Sequence, residues 1–157
     1  MIRDADEFIP LNDRVAAENA QKNAIFVSIH FNDSRRRKTR GFETYYHPGA
    51  PGDQANRIPQ RLMRIPITAN GGIHTASFRG LRLANCPAVL VEGGYLSNRS
   101  EGGQARDGEY RELLADRIAE AIVEVRYGPG AYRTPPNLAA RAEPTNGSTG
   151  LAPPGSR

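Results

Sequence analysis

An α/β fold is predicted for this chain: a three-layer arrangement in which helices cover both faces of a twisted, mainly parallel sheet. Ala24 to His30 (AIFVSIH) and Ala88 to Glu92 (AVLVE) are near-continuous apolar runs of strand length, the pattern of strands covered on both faces. From Glu109 to Arg126, Tyr110, Leu113, Leu114, Ile118, Ala121, Ile122 and Val125 recur every three or four residues, which is the period of an amphipathic helix. Buried strands alternating with such helices point to parallel pairing with helical crossovers.

Taken in order, Leu11 to Lys22 reads as a short helix, with Leu11, Val15 and Asn19 on one face and Ala16 and Ala20 beside it. The first buried strand follows. Phe42 to Tyr46 (FETYY) is aromatic and β-branched, hence a strand. Asp53 to Ile65 has helical spacing through Ile58, Leu62 and Ile65, interrupted by Pro59 and closed by Pro66. Gly71-Gly72 reads as a turn, with His74 in the loop beyond it, and Leu81 and Leu83 as a short strand. Asn85-Cys86-Pro87 then turns the chain into the second buried strand, which Gly93-Gly94 ends. From Gly128 onward only Leu138 and Leu151 come from the Leu, Ile, Val and Phe set, while Gly and Pro abound. Residues 128–157 are therefore expected to be a disordered tail behind a folded unit of residues 1–127.

A length of 157 residues suits one domain. No apolar run approaches the roughly 18 residues of a membrane span. A single cysteine, Cys86, excludes a disulfide scaffold and a Cys-based zinc cage, and its place before Pro87 suits a packed small residue better than a nucleophile. The formal charge is +4, carried almost wholly by arginine, and no apolar leader follows Met1.

The residues that interrupt the buried strands carry the chemistry. His30 and Glu92 each stand at the carboxyl end of such a strand, the edge where open α/β sheets bind ligands. A carboxylate there is costly to desolvate unless paired or set beside a cation, so two readings stand: a satisfied polar pair, or a metal and catalytic site. Arg35-Arg36-Arg37-Lys38, with Arg40, forms a basic cluster that suits either a solvated loop or phosphate groups of a polymer, and no aromatic residues are interleaved to stack bases. His47 and His74 read as solvated loop residues rather than ligands.

Six blocks in one order then become informative: Arg3-Asp4-Ala5-Asp6, Leu11-Asn12-Asp13-Arg14, Ala17-Glu18-Asn19, Ser28-Ile29-His30-Phe31-Asn32, Gly41-Phe42-Glu43-Thr44-Tyr45-Tyr46, and Pro87 through Asn98 (PAVLVEGGYLSN). From about residue 1 to residue 126 the chain resembles the zinc-dependent N-acetylmuramoyl-L-alanine amidases of bacterial cell-wall turnover. The resemblance implies a hydrolase that uses Zn²⁺ to cleave the amide between muramic acid and the first L-alanine of the peptidoglycan stem peptide. It also implies work in the periplasm or outside the cell, with no nucleic-acid partner. Position by position, it makes His30 a zinc ligand and Glu92 the catalytic carboxylate. It offers Asn32 a hydrogen bond to substrate or to a ligand, capping of the loop after the strand being the other reading. The family's pattern starts earlier, with a strand bearing a D-x-G-H-G type motif and a helix bearing a Glu ligand, both ahead of the segment matching Arg3-Asp4. The expectation is thus an N-terminally incomplete catalytic domain, inactive by itself. The alternative is a non-catalytic remnant that binds cell-wall peptide or a partner.

Overall fold

The computed structural model describes residues 1–64 and 69–135. Among these residues nine elements follow one another: α1 (Leu11–Asn19), β1 (Phe26–Asn32), β2 (Phe42–Tyr46), α2 (Gln54–Leu62), β3 (Asn70–Thr75), α3 (Arg79–Leu83), β4 (Ala88–Tyr95), α4 (Arg99–Arg106) and α5 (Gly108–Tyr127). The strands form one sheet in the order β1-β4-β2-β3, parallel between β1 and β4 and between β2 and β3, and antiparallel between β2 and β4. The mainly parallel α/β expectation holds.

Side-chain alternation along each strand sorts the layers. Val89 and Val91 of β4 and Phe42 of β2 face α2 and α5, packing with Ile58, Leu62, Leu114, Ile118 and Ala121. Ala88 and Leu90, with Phe26 of β1 and Tyr45 of β2, face Leu81 and Ala84 on the other side. α5 buries Tyr110, Leu114, Ile118, Ala121 and Val125, a helical stripe, and starts where the Asp107 carboxylate accepts from the Glu109 amide at 2.9 Å. It stops at Gly128, whose φ of 102° no other residue adopts without strain. α2 continues through the buried Pro59 rather than breaking there. Ile65 and Pro66, proposed as its last turn and its stop, lie outside the described residues.

Three expectations are corrected. Leu81 and Leu83 sit in the helix α3, not in a strand: Leu81 is buried against Ala88, and one turn of helix places it there while Leu83 stays partly exposed. Gly71-Gly72 is no turn, and His74 is no loop residue; both belong to β3, where Gly72 pairs with Glu43 and His74 with Tyr45. Gly93-Gly94 does not end β4, which runs on to Tyr95. The pairing of His30 with Glu92 but of Asn32 with Tyr95 shows that β4 carries one residue more than β1 across this stretch, a bulge set at the glycine pair.

Of the expected tail, residues 136–157 lie outside the described residues. Residues 128–135 approach α5, where the Tyr132 hydroxyl donates to Asp116 Oδ1 at 2.7 Å.

Candidate active site

Sheet register brings the two singled-out strand ends together. His30 of β1 is the Cα partner of Glu92 of β4, and Glu92 is in turn the partner of Glu43 of β2. By strand alternation all three side chains share the face of Phe26, Leu90 and Tyr45, making one row across three strands. The row lies in the carboxyl-terminal halves of β1 and β4 rather than at their ends as expected, because β1 continues to Asn32 and β4 to Tyr95.

Glu92 is half-buried, and its Oε2 has no hydrogen-bond partner. Burial first, and the Glu43 charge second, push its carboxyl up to about 7. His30 is exposed, with Nε2 2.9 Å from Ser28 Oγ. Its imidazole is held below the ordinary histidine value by partial desolvation and then by the positive charges of Arg14 and Arg3. Arg14 is fixed there by its Nε donating to the Ile9 carbonyl at 2.8 Å. The environment thus favours a neutral imidazole beside a carboxyl poised to exchange a proton near neutrality.

Glu43, not singled out from the sequence, anchors the row. The hydroxyls of Tyr95 and Tyr45 each donate to it at 2.8 Å, and Asn32 Nδ2 donates at 3.1 Å. Asn32 is therefore committed on both sides, since its Oδ1 accepts from the Asp33 amide at 2.8 Å. That second bond is the loop-capping contact considered for this residue. The detectable signal for Glu43 was alternation: in FETYY a charged residue shares a face with Tyr45. Glu101 of α4 was also missed. It is buried and accepts from the amides of Gly41 at 2.9 Å and Tyr95 at 2.8 Å, tying the loop before β2 to the end of β4. The spacing Asn98-x-x-Glu101 carries its signal, because Asn98 Oδ1 caps α4 through the Ser100 and Glu101 amides.

The remaining candidates stand apart from the row. His47 Nδ1 accepts from the Gly49 amide at 3.2 Å, closing a turn. His74 is exposed on β3, 5.1 Å from the Tyr45 ring, with Nε2 3.1 Å from the Gly71 carbonyl. Cys86 is buried with a free thiol that burial pushes up, as a packed residue's would be. Among the described residues, no three His, Cys, Asp or Glu side chains converge as a metal site would require.

Residues 1–124 match the sequence profile described as N-acetylmuramoyl-L-alanine amidase. The fold is similar to that of the catalytic domain of CwlV, an N-acetylmuramoyl-L-alanine amidase from Bacillus (Paenibacillus) polymyxa var. colistinus, with a TM-score of 0.72 and 35% identity over 80% of this chain and 70% of that one. In sequence the chain is 32% identical over 124 residues to the uncharacterized protein YqiI of Bacillus subtilis (strain 168), covering 76% of this chain and 60% of that protein. It is 32% identical over 123 residues to the sporulation-specific N-acetylmuramoyl-L-alanine amidase of the same organism, covering 76% and 47%. The chain thus spans less than two thirds of the length of these curated relatives.

Proposed function

Because the chain belongs to the N-acetylmuramoyl-L-alanine amidase family, we propose that it acts in peptidoglycan hydrolysis, in the periplasm or outside the cell, at the amide between N-acetylmuramic acid and the L-alanine of the stem peptide. The observation that carries this reading is the row His30, Glu92, Glu43 across three strands of the sheet. Among the described residues no helix is long and apolar enough to cross a membrane.

In this reading Glu92 takes a proton from the attacking water and returns it to the leaving amine nitrogen. A carboxyl near 7 suits both halves of that exchange, being ionised often enough to accept and acidic enough to give back. Glu43, fixed by its three donors, sits beside Glu92, and its charge raises the Glu92 carboxyl and so adds to its basicity. Asn32 orients Glu43 through one Nδ2 hydrogen and offers the other to substrate. Zinc, when bound, polarises the scissile carbonyl and acidifies the water. The residues present fit that ion in part: His30 offers one neutral imidazole, whereas catalytic zinc is held by three protein ligands, so a complete site requires donors beyond these.

The test digests purified peptidoglycan, with zinc added, using the protein as its gene encodes it, and follows new L-alanine amino termini on released stem peptides. Glu92→Gln is expected to lower release by roughly 100-fold or more while leaving bound zinc unchanged. His30→Ala is expected to lower zinc content as well as activity. Release by Glu92→Gln equal to wild type would remove Glu92 from the chemistry. Tight peptidoglycan binding without release by the unmodified protein would support the non-catalytic alternative instead.

A further inference from the structure

We propose that the cleft between the loop of residues 33–41 and helix α4 binds a phosphodiester polymer. The loop is pinned over the start of α4: the Ser34 amide donates to Ser97 Oγ at 2.9 Å, and Asn98 Nδ2 donates to the Arg37 carbonyl at 3.2 Å. Between them lies a cavity of about 360 Å³, with Arg37 on one wall and Arg99, Gly102, Gly103 and Arg106 on the other. Those four residues of α4 follow the spacing i, i+3, i+4, i+7 and share one helix face. The face is therefore a pair of arginine arms about 10 Å apart along the axis with a floor lacking side chains between them. A Cβ on Gly103 would meet nothing within 4 Å, so the floor is open there, whereas at Gly102 it would come 2.6 Å from the Leu96 carbonyl oxygen, which closes that side of the cleft.

Arg37, Arg99 and Arg106 are all exposed, as are the neighbouring Arg35, Arg36, Lys38 and Arg40. The salt bridges of the described residues leave them out, involving Arg57, Arg61 and Arg117 instead. The contrast with the cavity lined by Arg57, Arg61 and Arg64 is instructive, because there Glu120 and Glu124 already engage Arg61. Cations gathered around the α4 cleft and outside the salt bridges of the described residues repel one another, and an anion relieves that repulsion. Guanidinium forks take phosphate oxygens two at a time, and arms about 10 Å apart suit a ligand with repeated charges better than a single ion. Nucleic acid is the poorer fit, since no aromatic side chain lines the cleft to stack a base. The cleft adjoins the catalytic row, for the Leu96 amide donates to the Asn32 carbonyl at 2.8 Å. A polymer held here would lie beside the amide being cut. The choice of a wall polymer rests on the family reading above, whereas the site itself does not.

The experiment titrates the full 157-residue chain into fluorescein-labelled poly(glycerol phosphate), reading anisotropy between about 50 and 200 mM salt. Expected is saturable binding with a slope of log affinity against log salt near roughly −2, the value for three contacts to a flexible polyanion. Arg99→Ala with Arg106→Ala, and Arg37→Ala separately, should each weaken binding on the order of 10-fold or more. Arg57→Ala with Arg64→Ala should leave it within about two-fold, although the same number of positive charges as in the α4 pair is removed. Equal losses from both pairs, or oligothymidylate binding as tightly as the polyol phosphate, would overturn the proposal. Anisotropy requires no catalysis, so its failure is separable from failure of the amidase reading, which stem-peptide release reports.

Discussion

Glu18 is 4% exposed, and neither of its carboxyl oxygens has a hydrogen-bond partner. Desolvation raises its carboxyl from 4.5 to about 7. The folded state therefore holds this proton more tightly than the unfolded chain, and the stability associated with the protonated group, complete below about 4.5, is lost as pH rises through about 7. The full loss is at most about 3 kcal/mol. Glu18→Gln should flatten this part of the stability profile, raising the urea midpoint at pH 8 relative to wild type and leaving it nearly unchanged at pH 5; identical pH profiles would show that Glu18 is solvated. At Glu92 desolvation acts in the same direction, and the neighbouring Glu43 charge, paired with it across the sheet, adds to the rise. His30 and Glu92 were legible because a titratable residue ending an apolar strand run is conspicuous. Glu43 was not, because its role comes from Tyr45, Tyr95 and Asn32, which only the pairing of three strands brings to it.

Among the elements, β4 shows why a glycine pair misleads. Gly93 lies where α5 crosses the sheet: a Cβ there would come 2.7 Å from Leu114 Cδ2 and 3.0 Å from Phe31 Cε1, and the Gly93 carbonyl accepts from the Tyr110 hydroxyl at 2.6 Å. The residue is small for packing, not for turning. Gly93→Ala should therefore destabilise by about 1–3 kcal/mol through overpacking. A lowered urea midpoint with an unchanged m-value would show it, and an unaltered midpoint would mean that Leu114 moves aside freely. The strand β3 and the helix α3 were misread for a related reason. Local pattern weighs Gly-Gly towards a turn and Leu-x-Leu towards a strand, whereas pairing with β2 and cover for Ala88 decide otherwise. The long α5 needed no such help, since its apolar stripe repeats over five turns and overwhelms any competing period.

At the scale of the whole molecule, β1 stands at one end of the sheet order, hydrogen-bonded only to β4 among the described residues. Val27 and Phe31 pack towards α5, but Ile29, on the same face between them, is 52% exposed. An open strand edge carrying an apolar side chain recruits other chains. Residues 1–157 should thus self-associate with rising concentration, and Ile29→Lys should shift the population towards monomer in light scattering while leaving the fold's circular dichroism intact. Concentration-independent monomer for the unmodified chain would show that this edge is covered.

Local pattern is enough to assign the α/β class, the two buried strands and the long C-terminal helix, and to mark His30 and Glu92 as titratable residues set against apolar runs. Those follow from hydrophobic period and from single polar residues set against it, which are properties of short contiguous stretches. Tertiary structure alone decided that β2 enters the sheet antiparallel to β4, that Gly93-Gly94 forms a bulge inside a strand, that Glu43 joins the row, and that α4 turns its Arg-Gly-Gly-Arg face towards Arg37. Each of these depends on contacts between residues far apart in the chain. Register and close approach are set by which surfaces can be buried together, and no local pattern encodes the partner.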